Sequence, residues 1–195
     1  VDNHKLSTKS VEPYVGVIHR LDKPVSGVMV YAKTKNAAAA LSKQVAEGKM
    51  HKKYLAVLCG KPVDNNGTYV DYLKQDKKNN CSRIVDKSDP DGKRAELEYK
   101  VLDCIQTEEK DPQYLSLVEI KLLTGRHHQI RVQFSGHGTP LYGDGKYGNN
   151  EKAVRKSLAL CACHLRFKHP ATGRIMDFQI KPDTGAFKLF SKNTS

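Results

Sequence analysis

Short hydrophobic runs alternate along the chain with polar segments that contain Gly, Pro, Asn or Asp. Runs that are rich in Val, Ile, Leu and Tyr and bounded by turn residues are typical of strands. On this basis we predict strands at 15–18, 27–32, 54–58, 68–73, 95–105, 114–123, 158–167 and 174–180. The strands at 95–105 and 114–123 should pair antiparallel, because the segment between them is too short for a crossover helix.

Helical spacing of hydrophobic residues is clearest at 34–47. Four consecutive Ala are followed there by Leu41 and Val45, four residues apart, which places both on one face of a helix. Thr34 is a suitable N-cap and Gly48 a suitable stop. The pattern therefore predicts one well-formed helix early in the chain.

A second, shorter helix is predicted at 127–134, where Ile130 and Phe134 stand four residues apart. Together these elements predict a single α+β domain with a mixed, mainly antiparallel sheet flanked by helices and loops.

Two polar segments lie outside the predicted core. Residues 61–93 are rich in Asp, Asn, Lys, Gly and Ser, so we expect an exposed basic excursion with turns at Asn66-Gly67 and Asp91-Gly92. The Gly-rich segment 143–148 follows no predicted strand, and we expect it to be a flexible rim.

The charge balance indicates a polyanionic partner. The 195 residues include 33 Lys and Arg against 21 Asp and Glu, a formal charge of +12. An excess of this size favours contact with nucleic acid. Within the basic excursion, the candidate contacts are Lys74, Lys77, Lys78 and Arg83.

Hydropathy and cysteine content predict a cytoplasmic protein with no membrane partner. No apolar run reaches the roughly 18 residues of a membrane span, and the first residues lack the apolar region of a secretory signal. The five Cys are an odd number without framework spacing, which suits reduced thiols. We expect no disulfides.

Three segments, 19–22, 52–54 and 125–131, place charged side chains beside hydrophobic runs. From the residues alone, an Asp after a strand and Arg elsewhere suggest a carboxylate held ionised and aimed by a guanidinium. A lone Asp such as Asp22 is more often an ordinary turn residue. Both interpretations stay open at this point.

Metal binding is disfavoured by the spacing of the candidate ligands. Cys161, Cys163 and His164 are close in sequence, but no C-x-x-C and no second ligand pair at structural zinc spacing occurs. We interpret them as strand packing and expect no metal. His127 and His128, if helical, would point about 100° apart, so at most one would face a given site.

Longer motifs carry a resemblance to one family. The segment H-R-L-D-K-P-V-S-G at 19–27 resembles the H-R-L-D-x-x-T-S-G motif of the RluA-type pseudouridine synthases. K-K-Y-L-A-V at 52–57 looks like their K-x-Y-x-A-x-V segment, and 123–132 is similar to L-x-T-G-R-x-H-Q-[IL]-R-V. G-T-P-L-Y-G-D at 138–144 and the H-P pair at 169–170 follow in family order.

This resemblance implies roles for particular residues. Asp22 stands where the family has its essential aspartate, Tyr54 matches the active-site tyrosine, and Arg131 matches the basic residue that pairs with the aspartate. Arg20 matches the arginine that helps to displace the target nucleotide. The substrate-binding residues implied with it are His19, Arg20, Arg126, His128 and Gln129.

The resemblance also implies a reaction and a substrate class. The family acts on uridines in structured RNA, detaching uracil from C1′ at N1 and rejoining it through C5, without metal or organic cofactor. We expect ribosomal or transfer RNA as substrate and a monomeric enzyme. A stacked uridine must be extruded before its C1′ or C6 can meet a carboxylate, and Tyr54 offers a ring on which the extruded base could stack.

Two departures from the family pattern qualify this interpretation. Val25 replaces the family's Thr, and 1–16 contain no upstream N-K-P-x-G segment. We expect one catalytic domain over 1–195, without the usual N-terminal strand segment and without an S4 domain. The alternative is a non-catalytic RNA-binding or RNA-chaperone protein of the same fold, whereas a metal-dependent nuclease would need clustered carboxylates.

Overall fold

The computed structural model describes residues 14–107, 113–148 and 156–190. Its strands are β1 (Gly16–Val17), β2 (Ser26–Gly27), β3 (Tyr31–Ala32), β4 (His51–Cys59), β5 (Asn66–Asp76), β6 (Cys81–Val85), β7 (Lys93–Gln106), β8 (Tyr114–Leu122), β9 (Leu160–Lys168) and β10 (Ile175–Gln179). Its helices are α1 (Lys35–Ala46), α2 (Gln129–Gly136) and a 3₁₀ helix at Gly185–Phe190. The predicted α+β fold with a mainly antiparallel sheet is confirmed.

One large sheet has the strand order β10-β9-β4-β8-β7-β5-β6, and β2 adds to β9 as a parallel strand. β4 is an interior strand of this sheet and lies between β9 and β8. Tyr54 and Leu58 point to one face of the sheet and Val57 to the other, and all three are buried. A strand buried on both faces reads as a continuous hydrophobic run, as 54–58 does.

Different elements cover the two faces. On one face α2 packs Ile130 and Phe134 against Tyr54, and Leu21 and Val25 lie at the edge of this cluster. On the other face the 3₁₀ helix contributes Phe187 and Phe190. The first face therefore brings α2 and the 19–27 segment to the same part of the sheet.

Helix α1 follows its sequence signals. The Thr34 hydroxyl accepts a hydrogen bond from the Ala37 N–H at 3.2 Å, and Leu41 is buried. The helix ends at Ala46, two residues before Gly48. It packs against the part of the sheet formed by Leu165 and Phe167 of β9.

Within the segment 61–93, the strand predicted at 68–73 is confirmed as part of β5, but most of the rest, predicted as an exposed excursion, also belongs to the sheet. β5 pairs with β7 from Asn66 to Leu73, and β6 continues the sheet from β5. Asn66-Gly67 is therefore the start of a strand and not a turn. Leu73 packs against Val132 of α2. A few inward-facing apolar residues are therefore enough to hold a largely polar strand against the helix.

The continuous strand predicted at 27–32 is also wrong. The Val28 N–H bonds to the Ala162 carbonyl at 2.9 Å, and the Val30 N–H bonds to His19 Nε2 at 3.2 Å. These contacts divide the segment into β2 and β3. No helix in the described part of the chain is long and apolar enough to cross a membrane.

Candidate active site

The loop that carries Asp22 is anchored on β9. The Val25 N–H closes a turn on the Asp22 carbonyl at 2.8 Å, and β2 follows at once. Gly27 has φ +138°, and a Cβ there would lie 2.4 Å from the Ala162 carbonyl oxygen. Only glycine allows this approach without displacing backbone, so the loop can sit directly above the sheet.

Asp22 faces two nitrogen-bearing side chains at equal distance. Its Oδ2 lies 3.6 Å from Arg131 Nη1 and 3.6 Å from His128 Nε2. The Asp22 side chain is 30% exposed, while those of Arg131 and His128 are each 7% exposed. The site therefore presents a solvent-accessible carboxylate against a buried basic wall.

Arg131 makes its direct hydrogen bonds to another carboxylate. Its Nε and Nη2 donate to Asp144 Oδ2 and Oδ1 at 2.8 and 2.7 Å. Burial opposes the charge of Arg131, but the bonds and charge of Asp144, with the charge of Asp22, raise its pKa. Burial likewise favours a neutral Asp144, yet the bonds from Arg131 and two backbone N–H groups lower its pKa. The pair is thus held ionised inside the protein.

The segment 143–148, predicted to be a flexible rim, is an ordered part of the site. Asp144 is 1% exposed. Its Oδ1 accepts the N–H groups of Lys146 and Tyr147 at 3.0 and 3.1 Å. Gly143 has φ +75°, and a Cβ there would lie 2.2 Å from the Ser157 carbonyl oxygen. The glycines allow the backbone to make a tight turn. A glycine-rich composition alone does not show whether a segment is a tight turn or a flexible loop.

Tyr54 lies on β4, close enough to Asp22 for the charge of that carboxylate to affect its pKa. The pairing of β4 with β9 shifts register between Lys53 and Tyr54, an irregularity that re-aims a side chain. Burial, and secondarily the charge of Asp22, raise the pKa of Tyr54 to about 12. Its phenol therefore stays protonated at neutral pH.

His127 and His128 are not helical, contrary to the prediction. His128 is the residue before α2 and has φ +53° and ψ +26°, a conformation uncommon for residues other than glycine. The two rings stack with centroids 3.7 Å apart instead of diverging. The left-handed residue gives this arrangement, and spacing could not predict it.

The remaining predicted binding residues divide into two groups. Arg20 and Arg126 are exposed, and Arg126 Nε donates to the Arg94 carbonyl at 2.8 Å. Gln129 is 3% exposed; its Oε1 accepts from Thr124 Oγ1 and the Arg126 N–H, both at 2.9 Å. This packing supports a role for Gln129 in shaping the loop, and a substrate contact through it stays a prediction.

His19 is turned toward its own loop. Its Nε2 accepts the Val30 N–H, and burial, with the charge of Lys52, lowers its pKa to about 4. The neutral ring then carries its proton on Nδ1, which is buried and has no hydrogen-bond partner among the described residues. Substrate contact through this N–H also stays a prediction.

Sequence reasoning missed Asp144 and Tyr147 as members of the site. Asp144 closes the G-x-P-[IL]-x-G-D segment, so the motif itself was the available signal. Cys161 and Cys163 are buried on one face of β9. Among the described ranges no three His, Cys, Asp or Glu residues are grouped so as to hold a metal ion.

Residues 2–136 match the family described as RNA pseudouridylate synthase. The chain belongs to this family, and its resemblance to the RluA-type synthases is confirmed.

Two curated relatives and one solved structure show how far the likeness extends. The ribosomal large subunit pseudouridine synthase D of Zymomonas mobilis is 36% identical over 171 residues, covering 84% of this chain and 51% of the relative. The corresponding synthase C of Rickettsia prowazekii is 36% identical over 166 residues, covering 85% and 52%. The chain thus spans about half the length of these relatives. The structure of human RNA pseudouridylate synthase domain containing 1 superposes with a TM-score of 0.74 at 26% identity, covering 87% of this chain and 70% of that one.

Proposed function

We propose that this chain isomerises specific uridines in structured RNA to pseudouridine, with Asp22 as the essential carboxylate. The observation that carries the proposal is the placement of Asp22, accessible to solvent and 3.6 Å from both Arg131 and His128. A protein that only binds RNA gains nothing from a carboxylate facing phosphates. Family membership supports the same reaction.

The reaction needs the target base outside its helix. Extrusion costs a few kcal/mol, and we propose that Arg20, which is exposed two residues before Asp22, fills the vacated space or holds a phosphate. Tyr54 supplies an aromatic surface beside Asp22 for the extruded uracil. The Tyr54 hydroxyl is protonated at neutral pH and can donate a hydrogen bond to the base.

The atoms of the substrate balance within one nucleotide. The N1–C1′ bond breaks, the uracil turns, and a C5–C1′ bond forms while the C5 proton is lost and N1 gains one. A buried guanidinium beside Asp22 can stabilise the charge that develops when the bond breaks, and a site that excludes water keeps the detached uracil in place. Roles for Asp22 at the sugar, at the base or at the C2′ proton are all compatible with this geometry.

Ribosomal RNA is the first substrate to test, because the two relatives above are named for the large ribosomal subunit. Transfer RNA is the second. We propose a monomeric, cytoplasmic enzyme whose basic surface meets the RNA, and the formal charge of +12 supports this partner.

The test is a transcriptome-wide map of pseudouridines in source cells with and without the gene. Loss of discrete sites, restored by the unaltered gene and not by Asp22→Asn, is the expected result and identifies the RNA. An unchanged map would contradict the proposed function.

A further inference from the structure

Tyr147 lies outside the motifs that carry the family resemblance, yet its hydroxyl links two parts of the site. The phenol oxygen accepts the Ser82 N–H at 2.9 Å and lies 2.7 Å from His128 Nδ1. Burial raises the pKa of Tyr147 to about 12, although the Ser82 N–H and the charge of Arg131 oppose the shift. The phenol is therefore protonated, and its O–H can donate to His128 Nδ1, the ring nitrogen that faces it.

A hydrogen bond donated by the Tyr147 hydroxyl determines where His128 carries its proton. Burial lowers the pKa of His128 to about 4, although the charge of Asp22 opposes the shift, so the ring is neutral at pH 7. A neutral imidazole whose Nδ1 accepts a hydrogen bond has its proton on Nε2. That Nε2 is the atom 3.6 Å from Asp22 Oδ2.

Neighbouring contacts hold the imidazole in this orientation. His127 stacks on the His128 ring, and His127 Nδ1 is 2.9 Å from Ser82 Oγ. The left-handed backbone of His128 is a strained conformation of the kind kept at functional sites. Thus β6, through Ser82, supports both histidine rings.

The ring of Tyr147 also supports the second group that faces Asp22. The Arg131 guanidinium carbon lies 5.1 Å from the Tyr147 ring centroid, within the range of a cation–π contact. Asp144, which binds Arg131, accepts the Tyr147 N–H. One side chain therefore contacts both residues of the basic wall.

We propose that Tyr147 is a positioning residue for the Asp22 site: its hydroxyl fixes His128 in the tautomer that presents Nε2–H to Asp22, while its ring supports Arg131. This inference rests on the proposed function. Tyr147 acts through His128 and Arg131 and need not touch the RNA.

Tyr147→Phe tests the hydroxyl while keeping the ring. The single-turnover rate at saturating RNA should fall roughly tenfold, the size expected when one ordering hydrogen bond is removed. RNA affinity should stay within about twofold, because the hydroxyl makes no proposed contact with RNA. The matched control is Tyr142→Phe on the same loop, which should keep the full rate.

Two further measurements separate positioning from general stability. In ¹⁵N-histidine spectra at pH 7, the unaltered chain should show His128 protonated on Nε2 alone, and Tyr147→Phe should show a mixture of tautomers. In a His128→Ala background, Tyr147→Phe should cause little further loss of rate, because its effect passes through the imidazole.

An undiminished rate for Tyr147→Phe, with an unchanged His128 spectrum, would overturn the positioning role and leave the proposed function intact. A full additional loss in the His128→Ala background would also overturn it, since the hydroxyl would then act elsewhere. No product from an unaltered chain that binds RNA would overturn the proposed function, and the catalytic part of this inference with it.

Discussion

Arg131 donates two hydrogen bonds to Asp144 and directs its third nitrogen, Nη1, toward Asp22 at 3.6 Å. One guanidinium thus joins a buried structural carboxylate to an accessible one. The two hydrogen bonds to Asp144 fix the position of the Arg131 guanidinium. Its charge can therefore orient the Asp22 carboxylate without a direct hydrogen bond between them.

Arg131→Met should destabilise the protein by about 3–5 kcal/mol, because it leaves the buried Asp144 charge without a partner. Urea unfolding measures this change. Arg131→Met with Asp144→Leu should recover much of the stability by removing both charges, yet remain inactive. Equal stability of Arg131→Met and the unaltered chain would contradict a buried ion pair.

Gly27→Ala should displace the Asp22 loop, because its Cβ would lie 2.4 Å from the Ala162 carbonyl oxygen. Turnover should fall on the order of 100-fold, as expected for a shift of about 1 Å at a reacting group. Gly173→Ala is the matched control, since Gly173 also has positive φ but no atom within 4 Å of its Cβ position. Similar loss of turnover in both variants would refute the close-contact explanation.

Protein stability should fall as pH is lowered from about 6.5 toward 4. His19 and His128 have pKa values of about 4 in the fold against an ordinary 6.5. In this interval the unfolded chain binds protons that the folded chain does not, so the free energy of unfolding rises with pH. Unfolding in urea at several pH values measures the slope.

His19→Gln isolates one of these contributions. The Gln side chain can accept the Val30 N–H but does not titrate, so the stability of the variant should depend less on pH than that of the unaltered chain. Identical slopes would show that His19 is not buried in its neutral form.

RNA affinity should fall steeply with salt, and one pair of lysines should account for part of the slope. Lys77 and Lys78 are exposed in the β5–β6 turn, whereas Lys74 is bound to Asp89 and Asp91 at 3.1 and 2.9 Å. The logarithm of the RNA association constant falls linearly with the logarithm of the salt concentration. Changing Lys77 and Lys78 to Ala should reduce the steepness of this line by about 0.7–0.9 for each phosphate that these lysines neutralise.

Lys74→Ala serves as the control within the same hairpin, because carboxylates already neutralise that charge. It should change the slope less than the double substitution. A salt-independent affinity for the unaltered chain would contradict electrostatic binding altogether.

The sequence predicted those features that depend on local pattern. The α1 cap at Thr34, the run of β4 and the β7–β8 pair all follow from spacing and turn residues. The strand predicted at 68–73 is the central part of β5, but the full extent of β5 and the strand β6 were missed, because the pairing partner β7 is distant in sequence and polar residues dominate the exposed positions. Docking against α2 through Leu73 outweighs that composition.

The site was predictable only as far as motifs reach. Asp22, Tyr54 and Arg131 come from three separate segments, and the fold brings them together on one face of the sheet. The Arg131–Asp144 pair and the Tyr147–His128 bond depend on two unusual backbone conformations, at Gly143 and His128. No periodicity signals either conformation, so these partners could be found only in three dimensions.

We propose that Asp22 performs chemistry and does not merely shape an RNA-binding surface. Asp22→Asn is almost isosteric, and losing a negative charge cannot weaken attraction to phosphate. The variant should therefore keep the fold and the RNA affinity. Asp64→Asn, which changes an exposed Asp, is the matched control and should keep full turnover.

The most direct measurement is single-turnover formation of pseudouridine on ribosomal RNA at saturating protein, made beside RNA binding for each variant. Product should form with the unaltered chain and with Asp64→Asn, whereas Asp22→Asn should form none although it binds RNA as well as the unaltered chain does. Product formation by Asp22→Asn at the unaltered rate would contradict a catalytic role for Asp22.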